Sequence, residues 1–270
     1  MDKVKRIIKR LLNIITKPEM KILPGNIAFF LMLSIIPIVT LIGVISGSLS
    51  VSTESLSNFM NQYFPEQVSS ILIPYFTGQG ITFNVVVFTI MGFFIASNGT
   101  HAIIIASNRL YKVDDSSFLK KRLKAFNMII LLIFLIIFML IFLAFGSKII
   151  DFLNDNIFKE YRDVVYYLYL IIKWPVGILF IFIIVKIIYT IAPDKKIKSK
   201  YVNKGAIFTT IGWFIITFIY GYYATNLANY DLFYGSLSSI IVLMFWLYLI
   251  AYILMIGIAI NVTTYKDDSN

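Results

Sequence analysis

Cysteine is absent from this 270-residue chain, which excludes disulfides, thiolate metal sites, cysteine nucleophiles and a lipid-anchored cysteine. Histidine occurs once, as His101. No GxxxxGK(S/T) phosphate loop and no GxSxG elbow occur, so neither P-loop ATP hydrolysis nor that form of serine catalysis is supported. Charged residues make up 14% of the chain against 59% hydrophobic ones, where a soluble domain is about a quarter charged. One water-facing core cannot hide that much apolar surface. The solvent it calls for is a bilayer.

What is present is long and apolar. A helix of about 20 residues crosses a ~30 Å hydrocarbon core, and six stretches meet that length, near 27–47, 82–106, 125–146, 166–190, 203–226 and 237–262. None contains Asp or Glu, and the third, AFNMIILLIFLIIFMLIFLAFG, has no charge at all. The expected fold class is therefore all-α: a polytopic membrane bundle of six transmembrane helices with amphipathic surface helices. Its organisation would be a basic segment 1–26, a transmembrane domain 27–263 and a tail 264–270.

The net charge of +10 sorts by loop. Lys3, Lys5, Arg6, Lys9, Arg10, Lys17 and Lys21 precede the first span; Arg109, Lys112, Lys120, Lys121, Arg122 and Lys124 follow the second; Lys195, Lys196, Lys198, Lys200 and Lys204 follow the fourth. The alternate connections 48–81 and 227–236 have no Lys or Arg, and 147–165 balances three against four acids. By the positive-inside rule both termini are cytoplasmic. The basic balance is then a topology signal and no sign of nucleic acid. No cleavable signal peptide is evident, because the first apolar span starts about 26 residues in and lacks a small-residue cleavage site.

Two connections carry helical periodicity. Val4, Ile7, Ile8, Leu11, Leu12 and Ile15 share one face, opposite Lys3, Lys5, Arg6, Lys9 and Arg10. That pattern fits a basic amphipathic helix on an anionic inner leaflet, or a surface for a cytoplasmic partner. In 48–81, Leu56, Phe59, Met60, Tyr63 and Phe64 form one stripe, and Val68, Ile71, Leu72 and Tyr75 a second, with Pro65 and Pro74 breaking the runs. Two short outer helices that cap the bundle are expected.

Several stretches carry a resemblance. AFFLMLSIIPIVTLI (28–42), SNRLYKVDDSSFLKKRLKAF (107–126), YTIAPDKKIKSKYVNKGAIFTTIGW (189–213) and YGSLSSIIVLMFWLYLIAYILMIGIAINV (234–262) resemble the YihY/BrkB family of bacterial inner-membrane proteins. Tyr189, Pro193, Gly205, Ala206, Trp213, Tyr234, Gly235, Ser236, Trp246, Tyr248, Gly257 and Asn261 sit where that family's pattern would put them. The resemblance covers essentially the whole chain and implies a multi-pass protein of the cytoplasmic membrane. Similar proteins have carried the label ribonuclease BN or been linked with serum resistance or lipid export. The nuclease label does not fit the residues, since metal-dependent phosphodiester cleavage wants clustered Asp, Glu or His. Asp114–Asp115 is the one adjacent acidic pair within a loop, and it reads as an N-cap before FLKKRLKAF. No enzyme activity, cofactor or metal is expected.

Polar residues inside the spans are the remaining candidates. At 100° per residue Ser97, His101 and Asn108 fall within about 40° of one another, with Asn98 beside them. This stripe fits interhelical hydrogen bonding or a polar vestibule for a headgroup or proton. Lys173, in IIKWPVG, is either ~10 Å below the outer boundary, suited to an anionic lipid phosphate, or a snorkelling residue within the belt of Tyr166, Tyr167, Tyr169 and Trp174. Ser34 lies by Pro37, whose ring frees the carbonyl of Leu33, and is expected to satisfy backbone groups at that kink. Gly43 and Gly47 form a GxxxG pair that fits a homodimer or packing within the chain, and Gly235 lies at the bend before the last span. Two functions fit these residues. One is a translocator of a lipid or other amphiphile; the other is a structural or assembly factor for envelope proteins.

Overall fold

The computed structural model describes residue 9 and residues 11–48, 83–135, 162–226 and 238–268, with isolated helical positions at 54, 57–58 and 61. Every regular element among them is helical: α1 (Pro18–Ser48), α2 (Phe83–Tyr111), α3 (118–135), α4 (Arg162–Ile191), a 3₁₀ turn (Ser199–Val202), α5 (Asn203–Asn226) and α6 (Ser238–Asp268). Four helical stretches are long and apolar enough to cross a membrane by length and composition: Ile90–Tyr111, Ile171–Ile191, Ser199–Tyr223 and Ile240–Tyr265. The two outer stripes, the third span beyond 135 and Gly235 lie outside the described residues, as do the side chains at Pro37, Gly43 and Gly47.

Helix α1 starts well before the expected boundary at 27. Thr16 and Lys17 form a turn, and Pro18 opens the helix, because proline has no N–H to continue a helix but fits a first turn, where that N–H is unused. Residues 18–26 therefore belong to the first long helix. Met20, Leu23, Ile27 and Ala28 are buried in the main core, and Ile14 and Ile15 of the short helical segment 11–15 before the turn pack against it.

That core draws side chains from all six helices. Helix α1 lies along α2, α6 lies along both α5 and α1, and α4 packs on α5. The outward faces are apolar too. On α5, Ile207, Phe208, Ile211, Phe214, Ile215, Phe218 and Ile219 are exposed, and on α4 so are Ile171, Ile172, Ile178, Leu179 and Ile183. Contiguous apolar surface of this extent is tolerable only against lipid or another protein.

On the opposite face of α5 the two helices are joined by a polar ladder. Gly205 N–H donates to Asn261 Oδ1 at 2.8 Å, Trp213 Nε1 to the Ile250 carbonyl at 3.0 Å, Trp246 Nε1 to Thr217 Oγ1 at 3.2 Å, and Tyr220 Oη to the Val242 carbonyl at 2.9 Å. Tyr189 of α4 joins it: its hydroxyl donates to the Leu254 carbonyl at 2.8 Å and meets Thr209 Oγ1 at 2.6 Å. Such contacts replace the hydrophobic drive that helices lack in lipid. The approach depends on glycine, since a Cβ at Gly257 would collide with Tyr189 Oη and Thr209 Oγ1, and one at Gly205 with the Gly257 carbonyl and the Asn261 amide.

Gly257→Ala is expected to lower stability by about 1–3 kcal/mol, the usual range for overpacking. Gly221→Ala, whose Cβ would meet nothing within 4 Å, should be neutral or stabilising. Thermal unfolding of both variants in the same detergent checks the contrast.

Candidate functional site

Helix α2 is the most enclosed of the four apolar spans, and its polar residues are engaged from several directions. Ser97 Oγ donates to the Phe94 carbonyl of its own helix at 2.7 Å, and Thr100 Oγ1 reaches the Ala125 carbonyl of α3 at 2.9 Å. Asn98 Oδ1 accepts from Arg122 Nη1, while Arg122 Nη2 donates to the Phe94 carbonyl at 3.2 Å. The guanidinium carbon of Arg122 stands 4.1 Å from the Phe94 ring centroid and 5.0 Å from that of Phe126, a cation–π arrangement. No carboxylate forms an ion pair with Arg122 among the described residues. The His101 ring meets Phe118 edge-on at 6.3 Å, and its Nε2 is buried without a partner. Phe94, Phe118, Leu119 and Leu123 leave this flank apolar and exposed.

At the end of α2 the chain turns through Lys112, at φ 55°. Val113 N–H donates to the Asn108 carbonyl at 2.9 Å and Lys112 N–H to the Arg109 carbonyl at 3.3 Å, the bond pair of a Schellman C-cap. Glycine is usual at that left-handed position, and lysine there costs about 1 kcal/mol. The turn sends 113–117 back over the helix end. Ser117, whose carbonyl accepts from Lys121 N–H at 3.0 Å, immediately precedes α3. Asp114–Asp115 therefore stands upstream of the expected capping position, and the Asp115 carboxylate points to Asn108 instead.

Asn108 is buried and holds this end together. Its Nδ2 donates to Asp115 Oδ1 at 2.9 Å and Asp194 Oδ2 at 2.8 Å, and its Oδ1 accepts the Asp194 N–H at 2.8 Å. Lys124 of α3 donates to the carbonyls of Ala192 and Pro193, both at 2.8 Å, and to Asp194 Oδ1 at 2.9 Å. Ser116 N–H adds a bond to Asp194 Oδ2 at 3.1 Å, and Lys121 pairs with Asp115 at 3.1 Å. This clasp ties α2, α3 and the segment after α4. Partial burial works to raise the Asp194 carboxyl, but Lys124, the Ser116 N–H and the Asn108 amide outweigh it and hold the group well below the usual carboxylate range. The Asn108 amide, with help from Lys121, lowers Asp115 as well.

The other sequence candidates are placed apart. Ser34 Oγ donates to the Leu31 carbonyl of its own helix at 2.7 Å, so it does not serve the carbonyl of Leu33. Neither Ser34 nor Ser97 has its hydroxyl on His101. Lys173 is half-buried in the third position of the apolar span Ile171–Ile191. Along α4 it lies ~27 Å from the clasp end, whereas His101 lies ~15 Å from it along α2, at 1.5 Å per residue. Lys173 is thus not at the level of the stripe. Arg122, Lys124 and Asp194, the residues that organise this end, are not legible as a set in the sequence. Their partners stand 24 to 86 positions away.

A carboxyl depressed by folding stabilises the fold above its unfolded pKa of about 3.9 and loses that contribution as the pH falls toward its folded value. Wild-type protein should therefore lose thermal stability steadily below about pH 4. Asp194→Asn should lose about 2 kcal/mol at pH 7 and show a shallower acid slope. Unfolding curves from pH 7 to pH 3 measure both. Lys112→Gly should gain about 1 kcal/mol by relieving the left-handed residue, read from the same curves.

Comparison with known proteins points to a family of membrane proteins. A family model described as virulence factor BrkB matches residues 16–270. The chain is 31% identical over 263 residues to the ribonuclease-like protein YfkH of Bacillus subtilis, covering 96% of this chain and 95% of that one. It is 27% identical over 92 residues to a UPF0761 membrane protein of Idiomarina loihiensis, covering 34% of this chain and 32% of that one. A UPF0761 membrane protein of Alteromonas mediterranea is 32% identical over 71 residues, 26% of this chain and 24% of its own. No solved structure matches. With the family model spanning nearly the whole chain and its apolar helices on the page, the protein belongs to the BrkB family and is an integral membrane protein.

Proposed function

We propose that this protein is a translocator of an anionic amphiphile in the bacterial cytoplasmic membrane, with both termini and the basic loops on the cytoplasmic side and no chemical reaction of its own. The observation that carries the reading is Arg122. It is a cation at the α2–α3 boundary, without a carboxylate partner among the described residues, beside the polar stripe of α2 and flanked by exposed Phe94, Phe118, Leu119 and Leu123. A guanidinium with N–H groups to spare suits a phosphate-bearing headgroup, and the apolar flank suits acyl chains. Anionic lipids of the inner leaflet are the natural partners. The ribonuclease-like name of the Bacillus relative is not carried over. The carboxylates of Asp115 and Asp194 are both held in ion pairs by lysines, an arrangement that supports an end-clasp more than a metal-assisted nuclease.

A specific observation favours the structural or assembly reading as the alternative. Ser97, Asn98, Thr100 and Asn108 all spend hydrogen bonds inside the bundle, as packing groups do.

The two part in liposomes. Purified protein in vesicles carrying labelled anionic or neutral phospholipid is expected to speed exchange between leaflets above protein-free vesicles. Arg122→Gln and Lys173→Ala should each slow that exchange by about tenfold, the equivalent of 1.4 kcal/mol, at a temperature where melting curves show both variants still folded. No exchange above background with either lipid class would move the function to assembly of envelope proteins.

A further inference from the structure

Four buried polar atoms have no hydrogen-bond partner among the described residues near the end of α2, at the start of α5 and toward the end of α6: Ser107 Oγ, Tyr111 Oη, Asn203 Oδ1 and Asn261 Nδ2. Ser107, Tyr111 and Asn261 are 1%, 8% and 0% exposed. Three contacts bring their helices together here. The Tyr111 ring meets that of Tyr265 edge-on at 6.1 Å, and Tyr265 meets Tyr201 at 5.6 Å. Asn261 Oδ1 accepts the N–H of Gly205, two residues beyond Asn203. Ser107 precedes Tyr111 by one helical turn, and Asn261 precedes Tyr265 by one turn, so each pair shares a face.

A buried polar group without a partner costs about 1–3 kcal/mol, and native interiors satisfy nearly all of them. Four such atoms on helix ends linked by these contacts point to a shared guest. Its chemistry follows from the donors and acceptors. The Gly205 N–H takes Asn261 Oδ1, which leaves the Nδ2 hydrogens to a guest that accepts; Asn203 Oδ1 requires a donor; the two hydroxyls take either role. A monovalent cation would face amide hydrogens and the Lys195 ammonium, which stands 5.1 Å from the Tyr265 ring centroid. An anion would face Asn203 Oδ1. Water satisfies all four groups.

We infer that the junction of α2, α5 and α6 is a binding site for internal water, built by Ser107, Tyr111, Asn203 and Asn261. Helix α6 packs along α5 and α1 and only lightly on α2, so bridging water supplies the polar link between the stripe-bearing helix and the α5–α6 pair.

The test is thermodynamic. If the hydroxyls hold water, Tyr111→Phe and Ser107→Ala in the full-length protein each lower the melting temperature by about 2–4 °C. The double variant then falls by less than the sum, because the guest is shared. Unpartnered hydroxyls give the opposite sign: a melting temperature unchanged or raised on removal overturns the inference. Radiolytic hydroxyl-radical labelling of the wild type gives a second readout. Fast labelling of the buried Tyr111 is expected with water beside it, and labelling as slow as that of Tyr189, also buried, counts against it. Melting in sodium, potassium and choline chloride at equal ionic strength completes the set. Equal values are expected. Stabilisation by sodium or potassium that Tyr111→Phe removes would replace water with a cation.

Discussion

One asparagine side chain sets the geometry of the clasp end. Asn108 has two amide hydrogens and spends them on two carboxylates, Asp115 and Asp194; its carbonyl oxygen is taken by the Asp194 backbone. Among uncharged side chains a carboxamide alone can donate to two carboxylates and accept a backbone N–H at once. A charged residue in its place would add an ion to a site that already holds two acids and two lysines. Because Asn108 is the last buried polar residue before the left-handed turn at Lys112, its bonds fold the 113–117 loop back. They also place the start of α3, and with it Arg122, against the middle of α2. The stripe and the flank of the candidate site follow from that placement.

Away from the clasp the bundle is held by different physics. Lipid offers helices no reason to hide apolar faces, so α5 and α6 adhere through close backbone approach and a row of hydrogen bonds. Gly205 and Gly257 allow the approach, and Asn261, Thr209, Tyr189 and the two indoles use it. Asn261 satisfies an N–H in the first turn of α5, where helix donors have no partner of their own. The same helix turns Phe214, Phe218 and Ile219 outward. One sequence thus encodes a polar contact face and a solvent-like face for lipid, which average out to unbroken hydropathy when read as composition.

That explains what the sequence discloses and what it hides. Long apolar runs separated by basic loops announce membrane helices, because length and charge are local properties. The early start of α1 at Pro18 is less visible, since the lysines at 17 and 21 look like solvent-facing residues although Met20 and Leu23 between them are core. The Schellman turn is hidden by its lysine, where a glycine would have marked it. Ser97, Asn98, His101 and Asn108 do read as one stripe, since helical spacing is local too. Their partners are not readable: Arg122 and Lys124 look like further members of a basic topology cluster, and Asp194 looks like a lone acid ahead of lysines. Only the fold brings Arg122 to Asn98 and Phe94, and Asp194 to Asn108 and Lys124.

The distribution of charge then constrains whatever the bundle meets. The six apolar stretches contain no acid. Lys173 lies near one end of its span, and Arg122 sits at the α2–α3 boundary toward the other. Along α4 the separation from Lys173 to the clasp end is ~27 Å, close to the ~30 Å of a hydrocarbon core. The acids at the clasp are neutralised by Lys121 and Lys124, so they do not offset Arg122. On the translocator reading, positive charge near a boundary with no acid within the apolar stretches would favour an anion over a cation. The same stretches hold no carboxylate to carry a proton, which on the proposed reading leaves the cargo's own gradient or the membrane potential as the driving force.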